Sequence, residues 1–207
     1  AIIHDFADKL LARVDDLVEA DVADTGRSYW QARTFDGARA ARLFHAYADT
    51  ALTMENRSSQ FGGELGFKGM WDTSRRPKGV IACICPWNVP LLMAAMKVAP
   101  ALVMGNAAIL KPSEETPSSA SVLAEVVKES NIPDGAFSLV HGFGQGSAGG
   151  FLTSHPKVDA ITFTGESSTG SAIMKSAANG LREVSLELGG KNAAIVFEDA
   201  TMDHVAD

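Results

Sequence analysis

The chain has 207 residues, long enough for one large or two small domains, and its 46% hydrophobic and 21% charged content is ordinary for a globular protein. A net charge of −7 without any Lys/Arg cluster argues against a nucleic-acid partner. The longest apolar run, 89–104, is broken by Lys97 and Pro100, which argues against a membrane span.

Ala1 leads straight into an apolar helical repeat (Ile3, Phe6, Leu10, Val14, Leu17), with no initiator Met, start signal or targeting segment. The acidic stretch 198–207 reads as the opening of a further helix, so both ends are expected to be cuts in a longer chain. The first helix is predicted to run to about Ala23, with Asp24-Thr25-Gly26 as punctuation, and a second from near Asp36 to near Asn56. Residues 62–79 are Gly-rich and lack helical periodicity, and 67–74 are predicted extended.

From Val80 the pattern changes. Buried strands are predicted at 80–85, 107–111, 137–140, 160–164, 183–188 and 193–197, with helices at 89–104, 118–130, 147–154 and 167–179. Such alternation implies crossovers, a mainly parallel sheet with helices on both faces, and ligands beyond the carboxyl ends of the strands. Cys83 and Cys85 are expected on opposite faces of the first strand, unbridged, in a reducing cytoplasm.

The chemistry-bearing residues fall at those carboxyl ends. Gly144-Gln145-Gly146-Ser147-Ala148-Gly149 matches a dinucleotide fingerprint formally, but the next strand ends in Thr164-Gly165 and Asp159 comes before that strand instead of after it, so a plain Gly-rich turn competes. Gly165-Glu166-Ser167-Ser168-Thr169-Gly170, between a strand and a helix, is either a phosphate seat at a helix N-terminus or a simple capped turn. Glu166 is awkward in the first role, because its carboxylate repels a pyrophosphate. Lys111 and Glu114 flank Pro112 and suit a ribose diol, or else form a solvated turn; the carboxylate favours NAD over NADP.

Asn88 is placed to donate an amide N–H to a developing oxyanion, or to cap the helix that follows. Glu187, among Val184, Leu186 and Leu188, is expected to be partly desolvated and fit for a general base, or else to pair with Lys191. Cys85 lies in a strand with nothing to activate its thiol. The five histidines show no metal-ligand spacing, and no metal is expected.

Taken together, Cys85-Pro86-Trp87-Asn88, Lys111-Pro112-Ser113-Glu114, Phe163-Thr164-Gly165 and Glu187-Leu188-Gly189-Gly190-Lys191 resemble the aldehyde dehydrogenase superfamily in order and spacing, over essentially the whole chain. The resemblance implies an α/β fold with a modified Rossmann-type sheet and flanking helices, preceded by two helices. It divides the chain into N-terminal helices (1–61), an extended connection and candidate oligomerisation strand (62–79) and a Rossmann-like core (80–207), with the catalytic domain absent. Asn88 resembles the oxyanion amide and Glu187 the general base. Lys111 and Glu114 resemble the adenosine-ribose ligands, and Ile84, Pro86 and Trp87 part of the cofactor wall. Gly144, Phe163, Thr164, Gly165, Glu166 and Leu188 would also border the NAD cofactor.

By this resemblance a thiolate attacks an aldehyde, Asn88 holds the oxyanion, hydride passes to NAD, and Glu187 activates the water that releases the acid. The nucleophilic Cys is expected beyond position 207, so the chain would be roughly the middle two-fifths of a subunit of a homodimer or homotetramer. Within the family, 75–79, 111–117, 141–144 and Phe163-Thr164-Gly165-Glu166 look most like the 2-hydroxymuconic and 2-aminomuconic semialdehyde dehydrogenases of aromatic ring cleavage. Glu166 is expected in that branch, where many relatives carry Ser. Arg39 falls where the branch carries an Arg able to hold a substrate carboxylate, and a solvated helix Arg is the competing reading.

Overall fold

The N-terminal apolar repeat forms two helices, α1 (Ile2–Ala12) and α2 (Val14–Thr25), where one was expected. The break is at Arg13 (φ −101°, ψ 18°), outside the helical well, and it sends the two helices to different partners. α1 packs on the later helix α4 (Ala38–Leu52), through Phe6 and Phe44 edge-to-face at 4.8 Å, and α2 packs on α6 (Ser118–Lys128). Arg13 ties the corner down with ion pairs to Asp16, Glu125 and Glu129. Gly26 ends α2 in the left-handed conformation (φ 67°), the role that Asp24-Thr25-Gly26 signalled.

The second predicted helix is also more complex. A short helix, α3 (Tyr29–Gln31), opens into a π-helical turn, Ala32–Gly37, before α4 (Ala38–Leu52) begins. Gly37 makes this close approach possible, since a Cβ there would lie 2.6 Å from Val18 Cγ2 and 2.8 Å from Val14 Cγ2. Two helices before the sheet were expected, and four are present with the π turn.

The structure, a computed structural model, describes residues 1–62, 66 and 68–205. The predicted extended segment is seen as β2 (Lys68–Asp72), antiparallel to β1 (Ser58–Gly62), and Phe67 of that prediction lies outside the described residues. β1 was not foreseen, because Ser58-Ser59-Gln60 carries no apolar alternation and the whole strand is exposed.

The remaining elements are β3 (Val80–Ile84), α5 (Pro90–Val103), β4 (Ala107–Lys111), α6 (Ser118–Lys128), β5 (Phe137–Leu139), α7 (Ala148–Ser154), β6 (Ala160–Thr164), α8 (Ser167–Ala178), β7 (Glu183–Glu187) and α9 (Met202–Val205). The five strands β3–β7 form one parallel sheet in the order β5-β4-β3-β6-β7. Going from β3 the chain builds outward to β5, then returns to lay β6 on the other side of β3. The reversal opens a crevice between the carboxyl ends of β3 and β6, where such sheets bind ligands.

Each face of the sheet has its own core. Cys83, Cys85, Ala108 and Leu110 pack with α1, α4, α5 and α6, through Leu10, Leu91, Val98, Leu123 and others. Ala82, Ile84, Ile161 and Phe163 pack with Ile173 and Ala177 of α8. Cys83 and Cys85 thus share a face, as residues two apart on a strand must, and the opposite-face expectation is corrected. Both remain free thiols.

At the far edge one predicted strand is present but not buried, and another is absent. Glu183–Glu187 alternates exposed and half-buried positions instead of being buried, because β7 is the last strand of the sheet. Residues 193–197 form no strand, and Ile195, Val196 and Phe197 are exposed, since no partner strand lies beside them among the described residues. The predicted helix opening at 198–207 is seen as α9, with Asp207 outside the described residues. No helix among the described residues is long and apolar enough to cross a membrane.

Candidate active site and cofactor edge

Register brings the singled-out residues into one row. Lys111 pairs with Ile84, Ile84 with Phe163, and the next pair along, Thr164 with Glu187, continues the row. At about 4.8 Å per strand, the row from Lys111 to Glu187 spans roughly 14 Å, the scale of an extended ligand lying across the strand ends. Main-chain bonds hold the exits of these strands together. Cys85 N–H donates to Lys111 O (3.0 Å) and Gly165 N–H to Glu187 O (3.0 Å).

At one end of the row Lys111 is nearly enclosed, 3% exposed, and its ammonium donates to Pro112 O (2.8 Å) and Glu114 Oε2 (3.3 Å). A buried ammonium held this way is no solvated turn, so that competing reading fails for Lys111. Glu114, more exposed, keeps acceptor capacity for a ligand.

Around the crevice, Ile84 is buried against the α8 side, Pro86 is half-buried, and Trp87 stands 63% exposed. Asn88 is exposed too. The N-cap of α5 is Val89, no side-chain bond caps it, and Pro90 supplies its first turn. The capping role weighed for Asn88 is therefore absent, and no bond among the described residues engages its amide.

Phe163 is buried, while Thr164 is half-buried with an enclosed Oγ1 that has no partner. Gly165 and Glu166 lead into α8, whose first turn has no side-chain cap bond, leaving its leading N–H groups to solvent or a ligand. Leu188 lies against this helix, because a Cβ on Gly170 would come within 2.6 Å of Leu188 Cδ2. Gly144 follows the edge strand β5, two strands from the crevice. Its turn is internally bonded, with Gly150 N–H donating to Gly144 O (2.9 Å) and Gly149 N–H to Phe143 O (2.9 Å).

Glu187 departs from expectation. Its carboxylate is exposed at the end of the edge strand, so the partial desolvation predicted for it is missing here. Nor does it pair with Lys191, whose ammonium donates to Gly190 O (3.2 Å). Arg39 is exposed in the first turn of α4 with no bonded partner among the described residues. Asp21 of α2 accepts Leu91 N–H (3.3 Å), three residues past Asn88.

Two participants escaped the sequence reading. Lys97 is 6% exposed inside α5, its ammonium donates to Thr162 Oγ1 (3.0 Å), and burial pulls its pKa below the usual lysine value. The Glu187 carboxylate opposes that shift by favouring the charged form. The sequence signal is a lone cation in an otherwise apolar helix. Asp21, 1% exposed, also accepts from Ser119 Oγ (3.0 Å), and burial raises its pKa against those two hydrogen bonds. It ties the first turns of α5 and α6 to α2.

The thiols are inert. Burial pushes Cys83 and Cys85 up to about 12, so at neutral pH neither forms the thiolate a nucleophile needs. Two open depressions, about 320 Å³ against β6 and β7 and about 380 Å³ at the amino edge near Lys78 and Arg182, lie away from the row.

The chain matches the aldehyde dehydrogenase family over residues 1–207. It is 48% identical over 202 residues to a 2-hydroxymuconic semialdehyde dehydrogenase of Pseudomonas sp. (strain CF600), covering 98% of this chain and 42% of that relative. It is 47% identical over 201 residues to a 2-aminomuconic 6-semialdehyde dehydrogenase of Pseudomonas sp., covering 97% and 41%. The NAD+ complex of an aldehyde dehydrogenase from Bacillus cereus superposes with a TM-score of 0.91 at 32% identity, over 98% of this chain and 40% of that one. The chain thus spans about two-fifths of the length of the relatives it matches. The parallel sheet with its helices is the Rossmann-like domain of these enzymes, and the chain belongs to the aldehyde dehydrogenase family.

Proposed function

We propose that the chain is part of the NAD-binding unit of an enzyme that oxidises a carboxylated semialdehyde, of the muconic type formed by aromatic ring cleavage, to the acid. One observation carries the reading: register aligns Lys111, Ile84 and Phe163 across the carboxyl ends, with the Thr164–Glu187 pair one residue further along and the Asn88 amide unengaged beside them. Residues 1–61 form its helical approach, 62–79 an extended connection and oligomerisation strand of a dimer or tetramer, and 80–207 its core. The catalytic domain lies outside these residues.

The row fits NAD. The buried Lys111 ammonium and the Glu114 carboxylate suit a ribose diol, with Glu114 repelling a 2′-phosphate and so favouring NAD over NADP. Ile84, Pro86 and Trp87 would wall the cofactor, Thr164, Gly165, Glu166 and Leu188 would border it, and Phe163 would back that border. Gly144 would flank it from the loop after β5. When bound, NAD supplies the hydride acceptor.

The chain's own residues do the rest. Asn88 donates an N–H to the oxyanion that forms when a thiolate outside this chain attacks the aldehyde. Glu187 accepts a proton from the water that releases the acid. Arg39 binds the substrate's remote carboxylate, and the 48% identity to a muconic semialdehyde dehydrogenase supports that choice of substrate. The two unbridged thiols fit a reducing cytoplasm.

Arg39→Ala, in the longer protein that carries the nucleophile, tests the substrate class. KM for a carboxylated semialdehyde should rise about 10- to 100-fold, the worth of one charge-assisted hydrogen bond, while an uncarboxylated aldehyde of similar length is unaffected. Equal effects on both substrates would return Arg39 to a structural role.

A further inference from the structure

We infer that Glu166 works against the grip of the cofactor edge and sets how readily an anionic cofactor leaves it. The inference rests on the cofactor reading proposed above. Glu166 is the N-cap of α8, with φ −67° and ψ 138°, and its side chain makes no cap bond. It is exposed, and no ion pair among the described residues includes it. Its neighbours Ser167, Ser168 and Thr169 are neutral, and the one basic residue of α8, Lys175, lies in the last turn.

The positive end of the α8 dipole thus already faces a fixed negative charge. A pyrophosphate brought to this turn meets the free N–H groups, which attract it, and the Glu166 carboxylate, which repels it. Neutral serine-like residues at this position would leave only the attraction. Like charges about 6 Å apart, at dielectrics between those of water and a protein surface, change affinity by about 3- to 30-fold once motion of an exposed side chain is allowed for. The carboxylate does not touch the adenosine end, where Lys111 and Glu114 sit two strands away. Its effect therefore falls on ligands that carry phosphate, and it shortens their stay more than it alters what they are.

The test compares the full chain with Glu166→Gln and Glu166→Lys, titrated with NAD and with adenosine, following tryptophan fluorescence in low salt and in roughly 0.5 M NaCl. Glu166→Gln should bind NAD about 3- to 30-fold tighter in low salt, Glu166→Lys tighter still, and adenosine should bind all three forms alike. High salt should shrink the NAD difference. If the variants bind NAD as the unaltered chain does, the inference is overturned and the cofactor reading stands. If Glu166→Gln binds NAD more weakly, Glu166 is a ligand for cofactor hydroxyls and the inference is likewise overturned. Absence of saturable binding by every form, for NAD and adenosine alike, would overturn the cofactor reading and this inference with it.

Discussion

The two ends of the row are built to different standards. At the Lys111 end the sheet is sandwiched: Leu110 and Leu123 are fully buried, and the Lys111 ammonium is held by two acceptors before any ligand arrives. At the Glu187 end the strand is an edge, the carboxylate is exposed, and Ile195, Val196 and Phe197 are exposed. The face of β6 and β7 that bears Thr162 and Ser185 is open over about 320 Å³. Charged residues at equivalent strand ends therefore sit in different surroundings. One end is pre-organised from its own packing, and the other leaves its carboxylate exposed on an edge strand. On the function proposed above, cofactor recognition and chemistry would be separable in this chain.

The largest expected effect tests that separation directly. The 207-residue chain should bind NAD yet show no dehydrogenase turnover with a semialdehyde, because its only two thiols are buried and titrate at about 12. Turnover that survives Cys85→Ser would erase the contrast. In the longer protein, Glu187→Gln should slow release of the acid by roughly 10²–10⁴ while a first burst of NADH persists. Loss of the burst would move Glu187 to an earlier step. Asn88→Ala should slow the first covalent step by about 10²–10³ with little change in cofactor affinity.

Stability sharpens the same comparison. Leu123→Ala should cost about 2–5 kcal/mol in urea melts, whereas Phe197→Ala, on an exposed segment, should stay within about 0.5 kcal/mol. Similar costs would mean that the open end is as packed in solution as the closed one.

The smallest effect is a slope. Lys97 has a folded pKa below the ordinary lysine value of 10.5, so the unfolded chain holds more protons between the two values and stability rises with pH there. The cost of burying the charge is fully present below the folded pKa and relieved toward pH 10.5. Lys97→Met should remove that slope, and the variant's advantage should narrow by at most about 1.4 kcal/mol per pH unit across the window. Parallel pH profiles for the two forms would show that Lys97 is solvated.

What could be read in the sequence follows the same divide. Strands β3, β4 and β6 were legible to within a residue, since apolar runs such as Val80-Ile81-Ala82 admit few other fates when helices alternate with them. Lys111 and Glu114 were legible as a pair, although the enclosure of the ammonium was not, because it depends on what packs around the strand end. At the open edge, 193–197 carried a strand's composition without a strand's partner, and composition cannot supply a partner. The corner at Arg13 was invisible for a related reason. The apolar repeat continues through it, and only the positions of α4 and α6 require the turn.

Cys83 and Cys85 have a use beyond chemistry. They sit in and just after β3, the middle strand of the sheet, and alkylating reagents reach them only when that strand is uncovered. Their modification rate is therefore a clock for the rarest opening of the molecule, slow while the centre holds and insensitive to fraying of β7 or of the β1–β2 hairpin. Pulse labelling with a thiol reagent would time the failure of the core without any introduced probe, and would reveal by acceleration which bound ligands leave that centre unsecured.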